Sequence, residues 1–303
     1  MNIEKKMVQA EKAYLSGQFE QAEKLLTKIL LEAPDEPSAY SLRAMTFLSL
    51  GEPERMMLDL TMAISLAPED VNYYGQRGTI FMMTEQYKHA LADWSSVIRL
   101  DVQNGEAYLS RAICYVGLND FKHALADVNT AIRLTPQDGR CYQARGSIYF
   151  EKNKFAECVA DCTKAIELGC KDAIVYSTRG EAYESLKEYD KALADYNEAI
   201  RLEPTDLNNY DLRAMIFMQQ GDYARALAEY DALITQYPDE ADSYMLRAFF
   251  HLGNNAYEKS LADINRALAI DPHDPDILDA RRNVMAEMRG NGLKKLMKHK
   301  KHK

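Results

Sequence analysis

Residues 173–206 read AIVYSTRGEAYESLKEYDKALADYNEAIRLEPTD. In the first half, Tyr176, Arg179, Gly180, Tyr183 and Leu186 follow an i, i+3, i+4, i+7, i+10 spacing. In the second half, Tyr189, Ala192, Leu193, Tyr196, Ala199 and Ile200 do much the same. Both patterns have the period of a helix rather than the alternation of a strand. Lys187-Glu188 separates them, and Pro204 stops the second helix because it offers no amide hydrogen and clashes with the preceding turn. The stretch therefore predicts two helices joined by a tight turn.

The same register runs outward in both directions. Tyr40, Tyr74, Tyr108, Tyr142, Tyr176, Tyr210 and Tyr244 lie 34 residues apart. An arginine follows three residues later each time, then a small residue: Ala44, Gly78, Ala112, Gly146, Gly180, Ala214, Ala248. Pro34, Pro68, Pro136, Pro204, Pro238 and Pro272 repeat the stop. A weaker first copy carries Ala10, Phe19, Ala22 and Pro34 in register. Eight repeats result: 3–36, 37–70, 71–104, 105–138, 139–172, 173–206, 207–240 and 241–274. Small residues at the eighth and twentieth positions let two helices approach closely. One such hairpin cannot bury its apolar faces alone, so neighbours must stack into a shared core.

This pattern resembles the tetratricopeptide repeat family over residues 3–274. The resemblance implies an all-α, right-handed superhelical solenoid of antiparallel helix pairs, with the first helix of each pair lining a concave face. It also implies a protein–protein interaction scaffold without an active site, a step that rests on fold analogy. Lys6 and Ala13 stand where the first repeat would carry aromatics, and Pro53 is a further departure. Residues 275–289 place Ile277, Ala280, Val284 and Met288 on one helical face, as expected of a capping helix ended by Gly290 and Gly292. Residues 290–303 read as a basic, flexible tail.

Composition narrows the function classes. Of 303 residues, 47% are apolar and 27% charged, enough to fold around a large core. Gly (14) and Pro (9) are too scarce for a turn-rich β-sandwich. The net charge is −9, and because residues 281–303 carry +8, residues 1–280 carry −17. An acidic body disfavours wrapping nucleic acid through its phosphates. No apolar run approaches 18 residues, and the first eleven residues lack a signal-peptide core, so neither a membrane span nor export is expected. Five cysteines, an odd number without an export signal, read as reduced thiols of a cytoplasmic protein.

The seventh position is arginine in seven repeats and the twenty-third is acidic in the same seven. In an antiparallel hairpin these positions lie near one level. The expected pairs are Arg43 with Asp59, Arg77 with Asp93, Arg111 with Asp127, Arg145 with Asp161, Arg179 with Asp195, Arg213 with Glu229 and Arg247 with Asp263. The guanidinium fork matches a carboxylate bidentately, so these pairs read as a register-fixing ladder. The competing reading, a row of arginines gripping a polyanion, is weaker because each already has a carboxylate at hand.

If the family geometry holds, positions 2, 5, 9, 12 and 13 face the groove. Of these 40 residues eight are acidic, only Arg140 is basic, and seven of the chain's 14 methionines are among them. Met45, Thr79, Met82, Met83, Ile113, Ser147, Glu181, Glu184, Asp211, Met215, Met218 and Met245 are the candidate peptide-binding residues. Methionine suits adaptable surfaces, although some of these would pack between repeats instead. Such a face should prefer a protein or peptide segment with apolar anchors and Lys/Arg. The family's lysine-rich clamp for a terminal carboxylate is missing, since Ser41, Met45, Gln76 and Leu109 occupy those positions.

No phosphate loop, nucleophile elbow or converging metal ligands are legible, so no catalytic residue, metal or cofactor is expected. Cys158 and Cys162 share a helix face but occupy small apolar core positions. His251 replaces a packed aromatic, while His89 and His123 read as solvated. The basic tail keeps an alternative open: a nucleic-acid- or ribosome-associated factor acting through that tail. Folding of the tail onto the chain's own acidic groove is a further one.

Overall fold

The structure, a computed structural model, describes residues 3–300, with side chains described for 3–289. Among these residues the backbone forms seventeen α-helices and no strand, an all-α repeat solenoid. They fall into two compact units, residues up to Glu151 and residues from Lys152. The N-terminal unit holds α1 (Ile3–Leu15), α2 (Phe19–Glu32), α3 (Pro37–Leu50), α4 (Pro53–Leu66), α5 (Val71–Met83), α6 (Tyr87–Leu100), α7 (Gly105–Gly117), α8 (Phe121–Leu134) and α9 (Gly139–Glu151). The C-terminal unit holds α10 (Phe155–Glu167), α11 (Ala173–Ser185), α12 (Tyr189–Leu202), α13 (Leu207–Gln219), α14 (Tyr223–Gln236), α15 (Ala241–Gly253), α16 (Tyr257–Ile270) and α17 (Pro275–Lys300).

Within each unit consecutive helices pack on one another, and links of a few residues make partners antiparallel. The turn inside every hairpin uses one left-handed residue at the fifteenth position: Gly17, Gly51, Glu85, Asn119, Asn153, Lys187, Gly221 and Asn255. Glycine and asparagine suit that conformation. Glu85 and Lys187 adopt it against a steric cost of roughly 1–2 kcal/mol, which the packed hairpin absorbs.

The core follows the small positions. Ala10, Ala44, Ala112, Ala214 and Ala248 are at most 1% exposed, as are Ala22, Met56, Ala90, Ala124, Cys158, Ala192, Ala226 and Ser260 opposite them. In two repeats a glycine at the eighth position makes room for a large ring at the twenty-fourth, Trp94 over Gly78 and Tyr196 over Gly180. A Cβ on Gly78 would sit 3.0 Å from Trp94 Nε1, and one on Gly180 would sit 2.7 Å from Tyr196 Cε1.

The last helix differs from the sequence expectation. Helix α17 continues through Gly290 and Gly292 to Lys300 instead of stopping at 289. Glycine ends a helix only where it turns left-handed. Within a run it costs about 1 kcal/mol against alanine, and the helix formers Leu293, Lys294, Lys295, Leu296 and Met297 follow. The side chains of the basic tail at 290–303 lie outside the described residues. Ile277 and Val284 are buried against the core of α15 and α16, with Ala280 and Met288 packed beside them.

His251 on α15 is buried, with Nε2 3.8 Å from Asp263 Oδ2. Burial pulls its pKa below the ordinary imidazole value, outweighing the pull of Asp263 in the other direction. The unfolded chain therefore takes up the proton first. Stability should be full above about pH 6.5 and decline as pH falls from there through the lower folded value. Thermal melts at pH 7.5 and pH 5 should show a smaller acid loss for His251→Phe than for the natural chain. Equal losses would contradict this.

Candidate functional site

The arginine and acidic positions form a regular array. Arg43 grips Asp59 through Nε at 2.7 Å and Nη2 at 2.9 Å. Arg77 with Asp93, Arg111 with Asp127, Arg179 with Asp195 and Arg247 with Asp263 form the same fork at 2.7–2.9 Å. The aspartates are buried and the arginine side chains 16–24% exposed. Arg213 reaches Glu229 with Nη2 alone, and its buried Nε has no hydrogen-bond partner among the described residues. The extra methylene of glutamate carries the carboxylate past the position that an aspartate fork needs. Asp161 is buried on α10.

Each arginine also spends Nη1 on the preceding repeat, which the sequence reading missed. Arg43 donates to Thr27 at 3.2 Å, Arg77 to Thr61 at 3.1 Å, Arg111 to Ser95 at 3.2 Å and Arg145 to Asn129 at 2.7 Å. Arg179 donates to Thr163 at 3.0 Å, Arg213 to Asn197 at 2.6 Å and Arg247 to Asp231 at 2.6 Å. All seven acceptors occupy the twenty-fifth position. The signal was present in the sequence, because that position carries a hydrogen-bonding side chain every time. Hydrogen bonding to the aspartates raises the pKa of Arg77 and Arg111 further. These cations are engaged on two sides within the stack.

The candidate groove residues divide by exposure. Thr79, Met83, Ile113 and Met215 are exposed; Met45, Met82, Ser147, Glu181, Glu184, Asp211 and Met218 are half-buried. Met245 is a correction: like Ser41 and Leu109 at the same fifth position it is buried, here in the apolar cluster that α15, α16 and α17 share. The Thr79 and Ser147 hydroxyls turn back onto their own helix, to the carbonyls of Gly75 and Gln143. Arg140, the one base among these positions, is held by Glu106 at 2.6 Å and Asp138 at 2.7 Å. Its charge is thereby compensated locally and the face stays acidic.

Rings at the twenty-fourth position place polar groups on this face. Trp94 Nε1 lies 3.1 Å from Met82 Sδ, and the Tyr196 hydroxyl donates to Glu184 at 3.1 Å. Both rings lie over a glycine and point toward the twelfth position. Tyr230 faces Ala214 instead, and its hydroxyl donates to Asp211, at the fifth position, at 2.6 Å. Thus glycine or alanine at the eighth position goes with the end of the first helix that receives the polar tip. Burial, reinforced by the adjacent carboxylates, raises the pKa of both tyrosines, so they remain donors. Glu184 also accepts from Gln219 at 2.5 Å.

A recess opens on this face in each unit. In the N-terminal unit Met7, Glu11, Ser41, Met45, Tyr73 and Gln76 border a concavity of about 320 Å³. In the C-terminal unit Asp211, Met215, Met218, Tyr223, Tyr230 and Phe249 border one of about 440 Å³. Phe249, Tyr223 and Tyr230 were not among the sequence candidates. Phe249 could have been found, since it is the only aromatic at the ninth position of any repeat.

Among the described residues no group of three His, Cys, Asp or Glu side chains is arranged to hold a metal, and no helix is long and apolar enough to cross a membrane. Cys158 and Cys162 are buried with sulfurs 3.9 Å apart. Their mutual hydrogen bond and burial push the Cys162 thiol well up, and burial takes Cys114 up to about 12, so neither is a ready thiolate.

Comparison with known proteins agrees with this architecture. Models of the tetratricopeptide repeat match residues 105–138, 139–168, 173–206 and 212–275, together more than half of the chain. No curated protein matches. Among solved structures, a tetratricopeptide repeat protein from Parabacteroides merdae is similar over 82% of this chain and 98% of its own, at 21% identity and a TM-score of 0.64. Pseudomonas aeruginosa PilF is similar over 70% of this chain and 97% of its own, at 14% identity and a TM-score of 0.61. The Cut9–Hcn1 complex of the APC/C is similar over 91% of this chain and 54% of its own, at 16% identity and a TM-score of 0.59. The chain belongs to the tetratricopeptide repeat family, whose helical-hairpin stacks are scaffolds for protein–protein interaction.

Proposed function

We propose that the protein is a non-enzymatic scaffold that docks a peptide segment along the first helices of its hairpins, using apolar anchors and selecting Lys or Arg. The observation that supports this best is the shared construction of the two recesses. In each unit, fifth- and ninth-position residues of neighbouring repeats surround one opening: Met7, Glu11, Ser41 and Met45 in the first, Asp211, Met215 and Phe249 in the second. Both openings combine sulfur or aromatic surface with a carboxylate, while Arg140 is already paired. Apolar contact would supply adhesion and the carboxylates the choice of partner. The acidic groove residues Glu181 and Glu184 would extend that choice, with Met82, Met83, Thr79, Ile113 and Ser147 bordering the path. The arginine ladder serves packing in this reading, because its guanidiniums are occupied.

The test is selection from a displayed library of random peptides on the immobilised full chain. Enrichment of sequences that combine apolar residues with Lys/Arg is the expected result. Phe249→Ala with Met215→Ala should lower the affinity of the selected peptides by roughly tenfold or more, as for loss of anchors worth about 1–2 kcal/mol. Enrichment of acidic peptides, or binding indifferent to both substitutions, would overturn the proposal.

A further inference from the structure

The recess of the C-terminal unit has a distinctive lining. Tyr223 and Phe249 are the two exposed aromatic rings among the described residues, 52% and 54% exposed, and both border this one opening. Met215 and Met218 add polarizable surface beside them. Deeper in, the buried Tyr230 donates its hydroxyl to Asp211 Oδ1 at 2.6 Å. Among the described residues no cation pairs with Asp211. Arg213 and Arg225, on the two helices of the same hairpin, are held by Glu229 and Asp222.

A purely apolar anchor would fill this recess at the expense of Asp211, whose carboxylate would lose water and gain nothing. A lysine ammonium is strongly hydrated and gives up that water reluctantly. A guanidinium is weakly hydrated, stacks flat on aromatic faces and donates in its own plane to a carboxylate. Asp211 Oδ2 makes no hydrogen bond among the described residues that would compete with it, and the Tyr230 hydroxyl holds the carboxylate from the other oxygen. We propose that this recess receives an arginine side chain of the docked segment, its guanidinium against Tyr223 and Phe249 and hydrogen-bonded to Asp211. The assignment rests on the peptide-docking reading and names the residue one of its subsites takes.

The test uses the full chain labelled with ¹³C at the methionine methyls, titrated with N-acetyl-arginine amide. Parallel titrations use the citrulline amide, a neutral isostere, and the norleucine and lysine amides. Saturable shifts at Met215 and Met218 are expected with arginine, with the methyl of the buried Met56 in the other unit unmoved as a control of fold and specificity. Citrulline and norleucine should bind about tenfold more weakly or worse, the loss expected when a charge-assisted hydrogen bond is forfeited. Asp211→Asn keeps an acceptor for Tyr230 and should lose the preference for arginine over citrulline, while Phe249→Ala should weaken arginine without abolishing that preference. Equal binding of arginine and citrulline, an unchanged preference in Asp211→Asn, lysine matching arginine, or shifts at every methionine alike would each overturn the assignment. Selected peptides whose affinity ignores an Arg-to-norleucine exchange would sink this subsite and leave the docking reading standing. Failure to select any peptide would sink the docking reading, while the titration would still report on the recess.

Discussion

Asp195→Ala is expected to destabilise the C-terminal unit by about 3–5 kcal/mol, among the largest effects of any single substitution in the array. Asp195 is 5% exposed and its carboxylate receives two hydrogen bonds from Arg179, whose remaining arm reaches Thr163 on the preceding repeat. Removing it strands a guanidinium that cannot deprotonate and has to tear away from Thr163 to reach water. Arg179→Ala should cost a similar amount by stranding the carboxylate. The double variant should cost clearly less than the two losses added, since neither charge is then left alone. Replacing both with apolar residues of similar volume should come close to the natural stability, because a buried pair gains little over good packing. Urea unfolding gives the energies, and hydrogen exchange locates them. In a stack where each repeat leans mainly on its neighbours, faster exchange should centre on α10–α12 rather than spread evenly. A loss below about 1 kcal/mol for Asp195→Ala would show that the ladder is a surface decoration.

Gly180→Ala is the second large effect, and its sign runs against helix propensity. In an open helix this change gains up to about 1 kcal/mol. Here the new methyl would meet the Tyr196 ring at 2.7, 2.9 and 3.2 Å. That ring is fully buried and its far end is tied to Glu184, so it cannot simply swing into solvent. A net loss of about 1–3 kcal/mol is expected, with the Tyr196–Glu184 bond broken as the ring is forced aside. Gly75→Ala is the matched control. Its methyl would touch Trp94 at 3.6 Å, an ordinary contact, so that variant should be neutral or slightly stabilised. Thermal melts of the two variants side by side decide the matter. Two gains would mean that the ring relaxes freely, and the packing argument would fail.

Much of the fold was legible because it is periodic. Position eight had to be small wherever two helices cross, and position seven could be matched to position twenty-three by counting levels in one hairpin. Arg179 and Asp195 illustrate this: both lie in one local unit, and chain geometry leaves little freedom in how they meet. Arg213 and Glu229 show where counting falls short, because the sequence treats Asp and Glu as equivalent at that position and the guanidinium fork does not. The candidate face was harder. Met245 shares its repeat position with the half-buried Asp211 and with the buried Ser41 and Leu109, so the position alone does not say which side chain stays open.

From the sequence alone came the helices, their pairing, the repeat boundaries and the acidic, methionine-rich character of one face. These depend on spacings of three to about thirty residues, over which backbone geometry permits essentially one arrangement. Only the tertiary structure decided that each arginine also reaches back to the twenty-fifth position of the preceding repeat. It alone showed that the Tyr196 and Tyr230 tips point to opposite ends of their first helices, and that Tyr223, Phe249 and Asp211 gather around one opening. The recess gathers side chains of neighbouring hairpins, and the ring tips are placed by competition for one volume inside a single hairpin. The size of the residue at the eighth position and the reach of each side chain settle that competition, and neither is a periodic property of the chain.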